Sequence, residues 1–103
     1  MMKLMTKAVE KKFALIGSQS SDQDPVVVCK YFYPAGAGTW YATEYDPKSK
    51  IFFGYVTGLQ EDEWGSFSLR EFEEFRGMFG LGIERDLYFP QCRFSDLKKR
   101  GLV

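Results

Sequence analysis

The sequence predicts an α+β fold, in which a mainly meander, antiparallel sheet carries two helices on one face as a two-layer sandwich. Its 103 residues suit a single domain over positions 1–103. Three consecutive strand-like segments are joined by short turns, which favours antiparallel pairing. Apolar residues at helical spacing lie on both sides of this strand block. Except for Phe13, the 10 Phe, 6 Tyr and 2 Trp residues all lie between Tyr31 and Phe94, so the core is expected there.

The first helix is predicted to begin after Thr6, a favourable N-cap residue, and to end near Ile16. Val9, Phe13 and Ile16 then form one apolar stripe, and Gly17 is a typical stop signal. The polar segment 18–25 is predicted to be a surface loop and the most flexible part of the chain.

Strands are predicted over 26–33, 39–45 and 51–57, because these segments are rich in β-branched and aromatic residues. Turns at 34–38 and 46–50 separate them. Alternation along the second strand assigns its side chains to two faces of the sheet. One face is predicted to carry Thr39, Tyr41, Thr43 and Tyr45, and the other Trp40, Ala42 and Glu44.

A short fourth strand is predicted over 64–68, followed by a second helix with a capping box from Ser68 to Glu71. Phe72 and Phe75 lie on one side of that helix, and Gly77 is expected to end it. The glycine-rich segment 77–82 is interpreted as a helix stop and turn. A last strand is predicted over 83–89, and Ser95 is expected to cap a short basic turn.

The charge distribution is uneven although the net charge is zero. Residues 51–92 carry 3 basic and 8 acidic side chains, a net charge of −5, whereas both flanking segments are positive. The sequence contains no His, which removes the commonest general base and most metal sites. No metal-ligand spacing or phosphate-binding loop is present, and neither a metal nor another cofactor is predicted.

Sequence features also predict the compartment. No apolar run reaches the roughly 20 residues that cross a bilayer, so no membrane association is expected. The N-terminal segment is interrupted by charges and does not resemble a secretory signal. We therefore expect a cytoplasmic protein in which Cys29 and Cys92 are free thiols.

The leading hypothesis is a non-enzymatic interaction module that binds an unknown protein partner. The predicted binding residues are Glu61, Asp62, Glu63 and Trp64, because an acidic run beside a tryptophan suits a basic partner.

Two alternatives remain open. The first is binding of single-stranded nucleic acid, with tyrosines of a strand face stacking on bases and lysines contacting phosphates. The residues predicted for it are Tyr41, Tyr45, Tyr55, Lys30, Lys48 and Lys50. The second is a metal-assisted hydrolase that uses Glu44 and Asp86.

Five segments carry a family resemblance: 39–46 (TWYATEYD), 52–58 (FFGYVTG), 65–72 (GSFSLREF), 81–89 (LGIERDLYF) and the opening 4–12. Together they resemble one uncharacterised bacterial family, number twenty-nine fifty-eight among the domains of unknown function. The resemblance covers almost the whole chain but brings no catalytic residues. It implies a small cytosolic protein of plasmids, phages and integrative elements. It also implies an accessory role, such as modulating a host DNA-processing or defence enzyme.

Overall fold

The computed structural model describes residues 2–103 and confirms the α+β class. The helices are α1 (Lys7–Ile16), α2 (Leu69–Glu74) and α3 (Phe94–Lys99), and a 3-10 turn spans Met78–Gly80. In chain order the strands are β1 (Val26–Val27), β2 (Cys29–Phe32), β3 (Thr39–Asp46), β4 (Ile51–Thr57), β5 (Glu63–Ser68), β6 (Glu84–Arg85) and β7 (Cys92–Arg93).

The main sheet has the order β5-β4-β3-β2-β6, and all of its neighbouring strands are antiparallel. The single strand predicted over 26–33 is divided at Val28, and β1 pairs with β7 in a separate small sheet. The last strand predicted over 83–89 is reduced to β6, because the chain turns away after Arg85. The meander β2-β3-β4-β5 follows the predicted order.

One face of the main sheet is covered by α1 and α2, as predicted. Thr6 caps α1 through its hydroxyl, which accepts from the backbone N–H of Val9 at 3.1 Å. Phe13 of α1 and Phe72 of α2 are buried against Phe52, whose ring is fully buried at the centre of this core. We call this the helix face of the sheet.

The opposite face carries a second, smaller core that the sequence did not predict. Phe94 and Leu97 of α3 pack there with Val27 and Tyr41. The C-terminal segment, expected to be a short turn, is therefore a helix that covers sheet. Its first turn is closed by Asp96, whose Oδ2 accepts from the N–H of Arg93 at 3.0 Å. We call this the α3 face.

A β-bulge at Thr43 changes which way the end of β3 faces. Ala42 pairs with Gly54, but the next pair along the strand is Glu44 with Phe53, so Thr43 is an extra residue. The alternation predicted beyond Ala42 is wrong for this reason, since one inserted residue reverses the period-2 pattern. Glu44 consequently lies on the α3 face, and Tyr45 packs against the helix-face core.

Candidate functional site

The connection between β4 and β5, together with the first residue of β5, presents the predicted acidic residues to solvent. Glu61, Asp62 and Glu63 are all exposed. The Asp62 carboxylate accepts from the backbone N–H of Gly58 at 3.2 Å and so braces the loop. The ion pairs Lys30–Asp86 and Arg93–Asp22 lie elsewhere in the described chain.

Trp64 forms an aromatic ledge at the same edge of the sheet. The residue is 39% exposed, and its ring lies nearly parallel to that of Phe53, with 6.0 Å between ring centroids and 9° between planes. Tyr55 and Phe94 support the indole from beneath, at centroid distances of 5.1 and 4.7 Å. An exposed ring on a rigid aromatic base is the kind of group that dominates protein interfaces. We refer to Trp64 and Phe53 as the Trp64 ledge.

Strand geometry places the four predicted binding residues at one edge but on two faces. Glu63 pairs with Val56 on the helix face, whereas Trp64 pairs with Tyr55 on the α3 face. On the helix face a groove of about 490 Å³ runs beside the acidic loop. Its acidic members are Glu61 and Glu63, and its apolar members include Trp40, Val56, Leu59 and Phe67. We call it the acidic groove.

A second groove, of about 460 Å³, lies between the Trp64 ledge and the loop over 18–25. Glu44 is part of its lining because of the bulge at Thr43. Gln19 holds the loop in place. Its Nε2 donates to the carbonyl oxygens of Val26 and Thr43, both at 2.8 Å, and its Oε1 accepts from the N–H of Val26 at 2.6 Å.

Gln19 was not predicted as a structural residue. It lies in the segment predicted to be a surface loop, yet its side chain is buried. The bulge directs the Thr43 carbonyl away from regular pairing, and the Gln19 amide satisfies it. A lone Gln in a polar segment gives no signal for this role, because its partners are backbone groups up to 24 positions away.

The shared tyrosine face predicted for nucleic-acid binding does not form. Tyr41 is only 3% exposed and contacts Phe89, and burial raises the pKa of its hydroxyl. Tyr55 lies beneath Trp64 and Phe94 on the same face. The bulge moves Tyr45 to the helix face, where it packs on rings of that core.

The predicted lysines are equally scattered. Lys30 forms an ion pair with Asp86, at 3.8 Å between Nζ and Oδ2, and its ammonium lies 5.8 Å from the centroid of the Tyr41 ring. Lys48 and Lys50 lie in the turn between β3 and β4. The prediction of one stacking face lined by cations is therefore wrong.

The two carboxylates considered for a hydrolase have separate surroundings. Glu44 lines the groove beside Trp64, whereas Asp86 is paired with Lys30 next to β2 and β6. Within residues 2–103, no group of three or more His, Cys, Asp or Glu side chains is placed to hold a metal ion. Cys29 and Cys92 are free thiols. Burial raises the pKa of Cys29 to about 12, so it stays protonated at neutral pH.

A second exposed apolar feature was missed in the segment interpreted as a turn. Phe79 is 90% exposed and has φ 59° and ψ 22°, a left-handed conformation that is unusual for a bulky residue. The hydroxyl of Tyr33 accepts from the N–H of Met78 at 2.7 Å and anchors the segment. A Cβ on Gly77 would collide with that hydroxyl, which explains the glycine.

No helix within the described part of the chain is both long and apolar enough to cross a bilayer. Comparison with known proteins adds the family. The family model described as "Protein of unknown function (DUF2958)" matches residues 2–97. No curated protein and no solved structure matches the chain.

Proposed function

We propose that this chain, which belongs to the DUF2958 family of proteins of unknown function, is a non-enzymatic module that docks a basic protein partner. The docking surface is the edge formed by Glu61, Asp62, Glu63 and Trp64. The observation that carries the proposal is the Trp64 ledge, a partly exposed aromatic pair next to exposed carboxylates. Buried aromatic anchors with a charged rim are typical of protein interfaces.

The chemistry of the remaining side chains supports binding rather than catalysis. Nucleophilic catalysis by Cys29 is disfavoured because its thiol is buried and its pKa is raised. The sequence supplies no imidazole to act as a general base. Glu44 and Asp86 are placed with different neighbours, one in the groove beside Trp64 and one in an ion pair with Lys30.

The charge of the docking edge indicates the class of partner. Three adjacent exposed carboxylates attract a basic surface, and electrostatic attraction raises the association rate. Proteins that process DNA carry such surfaces, because they neutralise phosphates with Lys and Arg. A host DNA-processing or defence factor is therefore the partner class that we favour, in the setting of a mobile genetic element. Free thiols at Cys29 and Cys92 favour the reducing cytoplasm as the compartment.

The test is affinity capture from native host lysate, with and without nuclease, read by mass spectrometry. The variant replaces Glu61, Asp62 and Glu63 with Lys, and a second variant is Trp64→Ala. The matched control replaces the exposed residues Glu71, Glu73 and Glu74 of α2 with Lys, which changes the net charge equally. Thermal unfolding of each variant verifies that the fold is retained.

We expect a specific basic protein to be captured by the wild type and by the α2 control, with or without nuclease. Both edge variants should lose it. Undiminished capture by the edge triple variant would show that this edge is not the docking surface. Capture that disappears on nuclease treatment would instead indicate binding through nucleic acid.

A further inference from the structure

Strand β5 is an edge strand whose outer side lacks a neighbouring strand. Among residues 2–103 it pairs only with β4. It is six residues long, and Glu63 at its start is its one charged residue. Natural proteins usually protect such an edge with Lys, Pro or a bulge, because its free N–H and C=O groups can pair with another strand. None of these devices is present in β5, whose pairing with β4 is regular over all six residues.

The side chains of β5 offer a different surface on each face. On the helix face are Glu63, Gly65 and Phe67, and on the α3 face are Trp64, Ser66 and Ser68. Gly65 leaves open space, since a Cβ built there meets no atom within 4 Å. A strand placed alongside β5 would therefore meet acidic groups on one face and an indole on the other.

We propose that β5 is the docking edge for an extended segment of the partner, which adds to the sheet as a further strand. This inference rests on the proposed function and specifies how the partner binds. The segment carries alternating basic and apolar residues. Its basic side chains reach Glu61 and Glu63 in the acidic groove, and its apolar side chains pack on Trp64. Backbone hydrogen bonds provide affinity in this mode, and alternating side chains provide selectivity.

Charge favours a foreign segment over a second copy of this chain. A second copy would bring another acidic loop, and its β5 contains no basic residue to neutralise Glu61 or Glu63. In a segment with Lys or Arg at every second position, all the basic side chains point to one face of the sheet. Placed on the helix face, they neutralise Glu61 and Glu63. Electrostatic complementarity of this kind selects partners more strongly than it adds affinity.

The experiment uses the full chain and a synthetic probe, an acetylated and amidated octapeptide of alternating lysine and valine. Two-dimensional NMR measures binding and the hydrogen exchange of each β5 amide. One control peptide alternates glutamate and valine. A second control has the lysine–valine sequence with every backbone amide N-methylated, which keeps the side chains but removes the donors.

We expect the lysine–valine peptide to slow exchange at alternate β5 amides by about tenfold or more, because every second N–H of a strand points to the added one. Both control peptides should bind at least about tenfold more weakly. Replacing Glu61, Asp62 and Glu63 with Lys should weaken the binding of the lysine–valine peptide. In this variant the peptide should no longer protect the β5 amides from hydrogen exchange.

Three results would overturn strand addition, and they leave different conclusions for the proposed function. Equal binding of the N-methylated peptide, without β5 protection, would retain an acidic docking edge but exclude strand pairing. Absence of lysine–valine binding up to about 1 mM would remove the strand mechanism, while the lysate capture still decides whether the edge docks a protein. Concentration-dependent β5 protection without peptide would identify a second copy as the occupant.

Discussion

Replacing Gln19 with Leu should destabilise the protein far more than its position in a polar loop suggests. The substitution keeps a side chain of similar size but removes three hydrogen bonds, two from Nε2 and one to Oε1. The C=O and N–H of Val26 and the C=O of Thr43 then lose the Gln19 amide as their hydrogen-bond partner. The Gln19 side chain that makes these bonds is buried. Leaving a buried backbone group unsatisfied costs about 1–3 kcal/mol.

Water can enter from the adjoining groove and satisfy some of these groups, so we expect a loss of about 2–4 kcal/mol. A domain of this size has a total stability of about 5–15 kcal/mol, so the loss is a substantial share. With a urea slope of about 2 kcal/mol per molar, in the middle of the typical range, the unfolding midpoint should fall by about 1–2 M. Intrinsic tryptophan fluorescence follows the transition.

The matched control is Gln23→Leu, because Gln23 lies exposed in the same loop. It should change the free energy of unfolding by less than about 0.5 kcal/mol. A Gln19→Leu effect as small as the control would refute the reasoning. It would mean that the amide of Gln19 does not support the bulge at Thr43.

Further predictions concern two glycines, one strained loop residue and one acidic cap. Gly54→Ala should lower stability by about 3 kcal/mol or more in urea unfolding, since its Cβ would meet a backbone carbonyl. Gly65 pairs with Gly54 across β4 and β5 but has open space where a Cβ would lie, so Gly65→Ala should be neutral or slightly stabilising. Equal losses of stability in the two variants would refute the β4–β5 register. Phe79→Gly should raise stability by up to about 1 kcal/mol because it relieves a positive φ at a solvent-exposed ring, whereas Phe79→Ala should not. Asp24 accepts from the hydroxyl and N–H of Ser95 at 2.7 and 2.8 Å, and these bonds lower its pKa below the unfolded value of 3.8. Its stabilising contribution is present above that value and is lost as pH falls through the folded pKa. In Asp24→Asn the thermal unfolding temperature should therefore fall less steeply as the pH is lowered through this acidic range.

Local chemistry was enough to predict the beginnings and ends of several elements. Thr6 and Gly17 bound α1, and the Ser68 hydroxyl accepts from the N–H of Glu71 at 3.2 Å, as the capping pattern predicts. The β3–β4 hairpin was predicted from Asp46 and Pro47 in its turn. In each case the deciding contacts lie within a few residues of one another, so the sequence alone contains the information.

Predictions that extended a local rule over distance were wrong. Alternation assigned Tyr41 and Tyr45 to one face, but the extra residue at Thr43 places them on opposite faces. The expected Phe stripe after Ser68 is interrupted, because α2 ends at Glu74 and only Phe72 enters the core. Periodicity describes a regular element and contains no information on where a bulge or an early helix end interrupts it.

The sequence by itself determined the family, the α+β class, the order of the meander and the acidic character of the loop before Trp64. Only the tertiary structure decided which face of the sheet Glu63 and Trp64 each occupy, that β5 lies at the sheet edge and that α3 covers the second face. The reason is physical. Composition and short-range spacing set local backbone preference, whereas exposure and the pairing of edges arise from contacts between residues far apart in the chain.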